Sequence, residues 1–214
     1  GVKQSIVSAN TNAGFSIVKF EKQFSSSVAE NIPHGLSAAP EMIILKRTDG
    51  VEDWYVYHTS LGNAARIQLN SDAAQTTGTN VWGQTNPTAT QFTVESFNAG
   101  NAIAYCFHSV SGYSKFGSYT GTGSSTRSFT GLGFQPDYVM VKSATQSGAR
   151  WQIYDSVRGV KQLLLANTDA AEYNEASSGS AGLNSFDSDG WTIGNDGHMN
   201  GSGATYIYMA IKIN

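Results

Sequence analysis

The second half of this chain reads as a diverged copy of the first, and that duplication constrains the fold more tightly than any single residue does. Gly14-Phe15-Ser16 matches Gly112-Tyr113-Ser114, and His34-Gly35-Leu36 with Pro40 matches Thr130-Gly131-Leu132 with Pro136. Trp54, Val56 and Tyr57 match Trp151, Ile153 and Tyr154. Asn70-Ser71-Asp72-Ala73-Ala74 then matches Asn167-Thr168-Asp169-Ala170-Ala171. The offset stays between 96 and 98 residues, so only small insertions separate copies spanning about 14–108 and 112–214. A duplicated unit of this kind supplies a rigid frame with loops at its ends, whereas catalytic apparatus seldom appears twice. The repeat therefore points to a binding or structural protein.

The copies are β-rich. Runs at 15–20, 42–46, 54–58, 66–69, 92–95 and 102–108, and at 113–119, 138–142, 151–154, 163–165, 191–193 and 205–213, are rich in β-branched and aromatic residues. Turn residues bound them, as in Thr48-Asp49-Gly50 and Asp189-Gly190. Twenty-three glycines and only 14% charged residues suit short strands joined by tight turns. Pro40 and Pro136 each precede a strand, where a missing amide donor does least harm. No window holds an amphipathic helix, and residues 60–65 and 72–75 are expected to form single helical turns.

Several strands are apolar on both faces: in residues 42–46, Ile43 and Leu45 point one way and Met42 and Ile44 the other. Such strands belong in the middle of a sheet covered on both sides. The surplus apolar surface argues for curvature, covering loops or packing against another subunit. A linker as short as Ser109-Val110-Ser111 favours a single sandwich over 1–214 above two abutting small ones.

Charge and cysteine content narrow the function. The net charge is −3, divided almost evenly, with six basic and eight acidic side chains in residues 1–110 and seven and eight in the rest. No basic stripe is available to neutralise phosphates, and no apolar run reaches the roughly 20 residues of a membrane span, so neither nucleic-acid binding nor membrane insertion is expected. Cys106, the single cysteine, lies in the apolar run Ala102-Ile103-Ala104-Tyr105-Cys106-Phe107 and reads as a small buried hydrophobe.

No catalytic constellation is evident. The Glu-x-Asp-x-x-Glu pattern of β-sandwich glycanases is absent, and Glu52-Asp53 reads as a turn pair. There is no Gly-x-Ser-x-Gly elbow, and His34, His58, His108 and His198 read as polar strand-end or loop residues. Asp187-Ser188-Asp189-Gly190 and Asn195-Asp196-Gly197-His198 gather oxygen donors around one strand, so Asp187, Asp189 and Asp196 are candidate calcium ligands. Asp-Ser-Asp-Gly equally forms an Asx-type turn without an ion. No other cofactor is expected.

Two long loops, residues 75–91 and 172–189, leave equivalent points of the two copies, where a fixed frame commonly carries binding specificity. Sugar rings stack on exposed aromatic faces while amides take their hydroxyls. Trp54, Trp151 and Trp191 fall within strand-like runs and read as core pillars. Trp82 stands in a polar loop with Gln84 and Asn86 and has no counterpart in the second copy. These three are the candidate glycan-binding residues, with a lid over the core as the alternative role for Trp82.

The repeat also carries a resemblance. Residues 112–121 (Gly-Tyr-Ser-Lys-Phe-Gly-Ser-Tyr-Thr-Gly) and 133–142 (Gly-Phe-Gln-Pro-Asp-Tyr-Val-Met-Val-Lys), with Tyr154-Asp155-Ser156-Val157-Arg158-Gly159, Phe186-Asp187-Ser188-Asp189-Gly190-Trp191 and residues 205–210, resemble a lectin-like repeat domain of marine bacteriophage tail-fibre and structural proteins. The first half is similar, through His34-Gly35-Leu36, residues 40–46, Trp54-Tyr55-Val56-Tyr57-His58 and Ala104-Tyr105-Cys106-Phe107. The resemblance implies an all-β, concanavalin A-like antiparallel β-sandwich (jelly roll) and a place on the virion. It supplies no catalytic residues. A tail-fibre adhesin that binds a host cell-surface glycan or receptor without cleaving it follows as the first expectation. A structural or decoration module that binds only other virion proteins is the alternative, and a glycan depolymerase ranks last. Homo-oligomerisation is expected, with a trimer favoured as in fibres generally.

Overall fold

The computed structural model describes residues 4–25, 27–175 and 182–213. The protein is an antiparallel all-β structure whose chain divides into two compact units. Unit 1 comprises Gly1–Leu69 with Gln75–Ser109, and unit 2 comprises Asn70–Ala74 with Val110–Asn214. Each unit holds its own sheets and its own buried cluster.

Unit 1 contains β1 (Ser5–Asn10), β2 (Phe15–Lys22), β3 (Glu30–Pro33), β4 (Met42–Arg47), β5 (Tyr55–His58), β6 (Ala65–Gln68), β7 (Thr76–Thr77), β8 (Gln91–Val94) and β9 (Gly100–Phe107). Seven of these form a sheet in the order β1-β2-β9-β4-β5-β6-β7, and β3 pairs with β8 in a second, two-stranded sheet. Alternation selects the inner face: Val18 and Phe20 of β2, Ile43 and Leu45 of β4, and Ala102, Ala104 and Cys106 of β9 meet Ile32 of β3 and Phe92 and Val94 of β8. Each large aliphatic or aromatic side chain removed from water in this way contributes about 1.5–3 kcal/mol. Burial pushes the Cys106 thiol up to about 12, which leaves no thiolate at neutral pH.

Unit 2 contains β10 (Ser114–Thr120), β11 (Thr126–Phe129), β12 (Tyr138–Ser143), β13 (Gln152–Asp155), β14 (Gln162–Leu165), β15 (Tyr173–Asn174), β16 (Leu183–Asp187), β17 (Gly190–Gly194), the four-residue helix α1 (Gly197–Asn200) and β18 (Thr205–Ile211). The large sheet runs β10-β18-β12-β13-β14-β15, and the small one β11-β17-β16. Once β1 is set aside, the two large sheets have the same strand order, β2-β9-β4-β5-β6-β7 against β10-β18-β12-β13-β14-β15. In unit 2, Val139, Val141, Tyr154 and Ala210 of the large sheet meet Trp191 and Ile193 of β17. Phe129 stacks on Trp191 at 4.6 Å between ring centroids, and Tyr208 meets Trp191 edge-on at 4.8 Å.

Two sequence expectations change. The turn expected over 60–65 lies instead at 58–62, where the Gly62 amide donates to the His58 carbonyl at 3.2 Å, residues 72–75 form none, and among the described residues regular α-helix is found in α1. Strands β1, β3, β7, β11, β15 and β16 fall outside the expected runs; β1, β7, β11 and β15 lie at sheet edges and bury little, so they lack the apolar signal of a central strand. On the outward faces, Met42, Val56, Met140 and Ile207 are buried and Ile44 is half-buried.

Candidate functional site

The first long loop does not present a platform. Trp82 is 1% exposed and belongs to the core of unit 1. Its indole Nε1 donates to the Ala65 carbonyl at 3.1 Å, and its ring meets Tyr57 edge-on at 5.7 Å. Trp82 is therefore a lid: burying its ring while satisfying its one donor outweighs exposure to solvent. Gln84 and Asn86 are exposed, but they are tied into the loop, Gln84 donating to Asn80 Oδ1 at 2.6 Å and Asn86 accepting from Asn63 at 3.0 Å. The structure does not gather the three around an open surface.

The candidate calcium ligands are also separated. Asp187 ends β16, Asp189 sits in the turn before β17 and Asp196 lies beyond its end, so a five-residue strand divides the first two from the third, about 16 Å at 3.3 Å per residue. Asp187 accepts from Thr192 Oγ1 at 2.7 Å. Asp189 accepts the amides of Gly131 and Gly133 at 2.8 and 2.6 Å, and those amides hold its carboxyl below the usual carboxylate range. Asp196 caps α1 by accepting from His198 N at 2.7 Å. Among the described residues no three His, Cys, Asp or Glu side chains form a metal-binding group. Asp187 and Asp196 thus serve their own hairpin and helix cap, and Asp189 braces the distant loop 131–133. Residues 177–180 of the second long loop lie outside the described residues.

What the structure does gather is a cleft of about 300 Å³ in unit 2, on the inner face of the large sheet at its β13–β15 end. Gln152 of β13, Leu163 and Leu165 of β14 and Tyr173 of β15 share this face, because Gln152 pairs with Leu165 and Leu163 with Tyr173. Glu175, two residues beyond Tyr173, and Asp196 complete the floor. Arg150, Tyr173 and His198 stand exposed at the rim. Tyr173 is 48% exposed, an aromatic face open to solvent beside an aliphatic floor.

The polar floor is wired through Tyr154. Its hydroxyl lies 3.1 Å from Gln152 Oε1 and 3.1 Å from Glu175 Oε1. It has one proton for these two acceptors, so it serves one at a time. Gln152 Nε2 donates onward to Asp196 Oδ2 at 3.3 Å. Burial and the Glu175 carboxylate raise the Tyr154 phenol, which stays protonated and a donor throughout the physiological range. Gly182 makes this packing feasible: a Cβ there would come within 2.2 Å of Glu175 Oε2 and 2.3 Å of the Tyr154 hydroxyl. The result is an acceptor-rich floor, a small aliphatic patch and one open aromatic ring, an arrangement that can bind a ligand offering several donors and an apolar face.

Of these residues, the sequence singles out Asp196, as a candidate calcium ligand, and reaches Tyr173 and Glu175 only as members of the long loop 172–189. For Gln152 a signal is present. Gln152 occupies the inward position that Tyr55 holds in β5, so a polar side chain replaces an aromatic one at a core-facing site.

Fold and cleft together define an all-β sandwich protein with a solvent-open cleft at one end of a sheet. The chain belongs to the family described as a domain of unknown function, DUF7483, whose model matches residues 1–213. No curated protein and no solved structure matches it.

Proposed function

We propose that the protein is a non-catalytic glycan-binding module, carried on a bacteriophage virion as part of a tail fibre, that attaches to a host-surface glycan through the unit 2 cleft. The observation that carries the binding reading is the pairing of Tyr173, half-exposed at the rim, with a buried floor of Gln152, Glu175 and Asp196. A pyranose offers what such a cleft lacks: hydroxyl donors for the floor and a C–H face for the ring. The virion setting rests on the tail-fibre resemblance of the repeat motifs, and the fibre would present several copies together, a homotrimer being the favoured assembly.

One stacked ring with a few hydrogen bonds supplies on the order of 4 kcal/mol, which corresponds to roughly millimolar affinity. Attachment then depends on several modules engaging at once, and linked sites raise avidity by about 10²–10⁴ without new contacts. A bacterial glycan array probed with the protein displayed multivalently is the direct test. Binding to a discrete set of surface glycans, without release of reducing ends, is expected. Absence of binding on the array and on whole cells would remove the glycan reading and leave a module that contacts only other virion proteins.

A further inference from the structure

We infer that the glycan is an extended chain, running from the unit 2 cleft over Gly197 into a second groove, so that at least two sugar residues are bound. The inference rests on the glycan reading above and adds the length and path of the ligand. The second groove, about 630 Å³, is lined by Gln146, Ser147, Ala149, Asn195 and Gly197. Asp196 and His198 line both cavities, so the two share a wall and meet at the Asp196-Gly197-His198 segment.

That wall is bare where a chain would cross it. Gly197 is exposed, and a Cβ built on it meets nothing within 4 Å. The wall is also fixed. Asp196 caps α1, the Tyr206 hydroxyl donates to the Gly197 carbonyl at 2.8 Å, and the Tyr119 hydroxyl donates to the Met199 carbonyl at 2.8 Å. A rigid saddle whose central residue carries no side chain loses little entropy when a ligand is laid across it. The two ends differ in chemistry. The cleft offers carboxylates and an aromatic face, whereas the groove offers the exposed side chains of Ser147 and Asn195. A single sugar placed in the cleft leaves the groove empty, and a longer chain fills both.

Calorimetric titration of the intact protein with size ladders of one to six sugars tests this, using bacterial lipopolysaccharide O-chain fragments and maltooligosaccharides. Affinity is expected to rise about tenfold or more between one and three sugars and to level off beyond. In Gly197→Phe, whose backbone angles need no strain, the ratio of trisaccharide to monosaccharide affinity is expected to fall to about one, with its melting temperature confirming that it is folded. Length-independent binding by the wild type, or an undiminished ratio in folded Gly197→Phe, overturns the extended path while the glycan reading stands. No binding of either ladder, with none on the array, overturns both.

Discussion

Tyr57 and Tyr154 occupy the same place in two sheets of the same strand order, yet one lies under a plug and the other lines a cleft. In unit 1 the ring of Trp82, delivered by the loop after β7, covers Tyr57 and bonds to β6 through Ala65. In unit 2 the segment after β15 delivers Glu175, which receives a hydrogen bond from the Tyr154 hydroxyl. The neighbouring positions change with it. Tyr55 gives way to Gln152 on the inner face, and Thr76, the first residue of the edge strand β7, gives way to Tyr173 in β15. A common frame is thus closed by an apolar plug in one unit and opened by polar floor residues in the other. The loops, not the strands, decide which end of a sheet can meet a ligand.

The plug provides the hardest test of that contrast. Trp82→Ala should cost about 3–5 kcal/mol, as expected for deletion of a buried tryptophan ring. Chemical denaturation would read the loss. Glycan affinity, measured where the variant is still folded, should be unchanged, since the cleft belongs to the other unit. A variant that melts like wild type but no longer binds would invert the assignment and make Trp82 the recognition residue.

The acid comes next. Glu175→Gln keeps the shape of the side chain and a possible contact with Tyr154, but removes a charged acceptor from the floor. Hydrogen bonds to charged groups contribute about 1.5–3 kcal/mol, so glycan affinity should fall by roughly ten- to a hundredfold in calorimetry. Undiminished affinity would mean that the buried acid serves packing alone, and the contrast between plug and cleft would lose its functional half.

The strands were legible because their signal is local. Central strands such as β4, β9, β12 and β18 carry contiguous apolar residues, and Pro40 and Pro136 mark the entries to β4 and β12. The cleft was not, because it depends on which residues meet across strands. Tyr173 and Glu175 belong to a polar loop in the sequence, and only the pairing of β15 with β14 brings them beside Gln152. Trp82 misled for a related reason: its polar neighbours Gln84 and Asn86 are exposed, and local composition cannot tell that the intervening backbone turns one ring inward. The acidic stretch around β17 is continuous in sequence, but the extended strand separates its carboxylates instead of gathering them.

Tyr173→Ala should be smaller in effect and cleaner. The ring is half-exposed at an edge strand, so the melting temperature should stay within about a degree or two of wild type. Loss of one stacking face should weaken glycan binding about tenfold, or 1.4 kcal/mol. Replacing Thr76 of unit 1, the corresponding edge-strand position, should alter neither quantity. Equal effects at the two positions would show that an exposed edge-strand side chain, not the cleft, governs binding.

At neutral pH, the smallest effect concerns one of two buried lysines. Lys22 of unit 1 lies 3.5 Å from the Glu30 carboxylate and donates to the Phe24 and Val28 carbonyls. Lys142 of unit 2 donates to the carbonyls of Asp72, Ala73 and Ser143 at 3.4, 2.9 and 2.7 Å. Burial lowers the Lys142 ammonium from 10.5 to about 8, the nearby Asp72 only partly opposing it. Between about 8 and 10.5 the unfolded chain therefore holds a proton that the folded chain has released. More protons on the unfolded state mean that stability rises with pH across this window, whereas below it both states are protonated and the slope vanishes. The buried phenols Tyr119 and Tyr154, raised by burial, act in the opposite sense above pH 10, but equally in wild type and in Lys142→Met. Urea midpoints of the two proteins at pH 7, 8, 9 and 10 should therefore give a difference that is flat below 8 and then grows in favour of wild type. A difference that stays level through pH 10 would show that the carbonyls around Lys142 hold its proton as firmly as a carboxylate would.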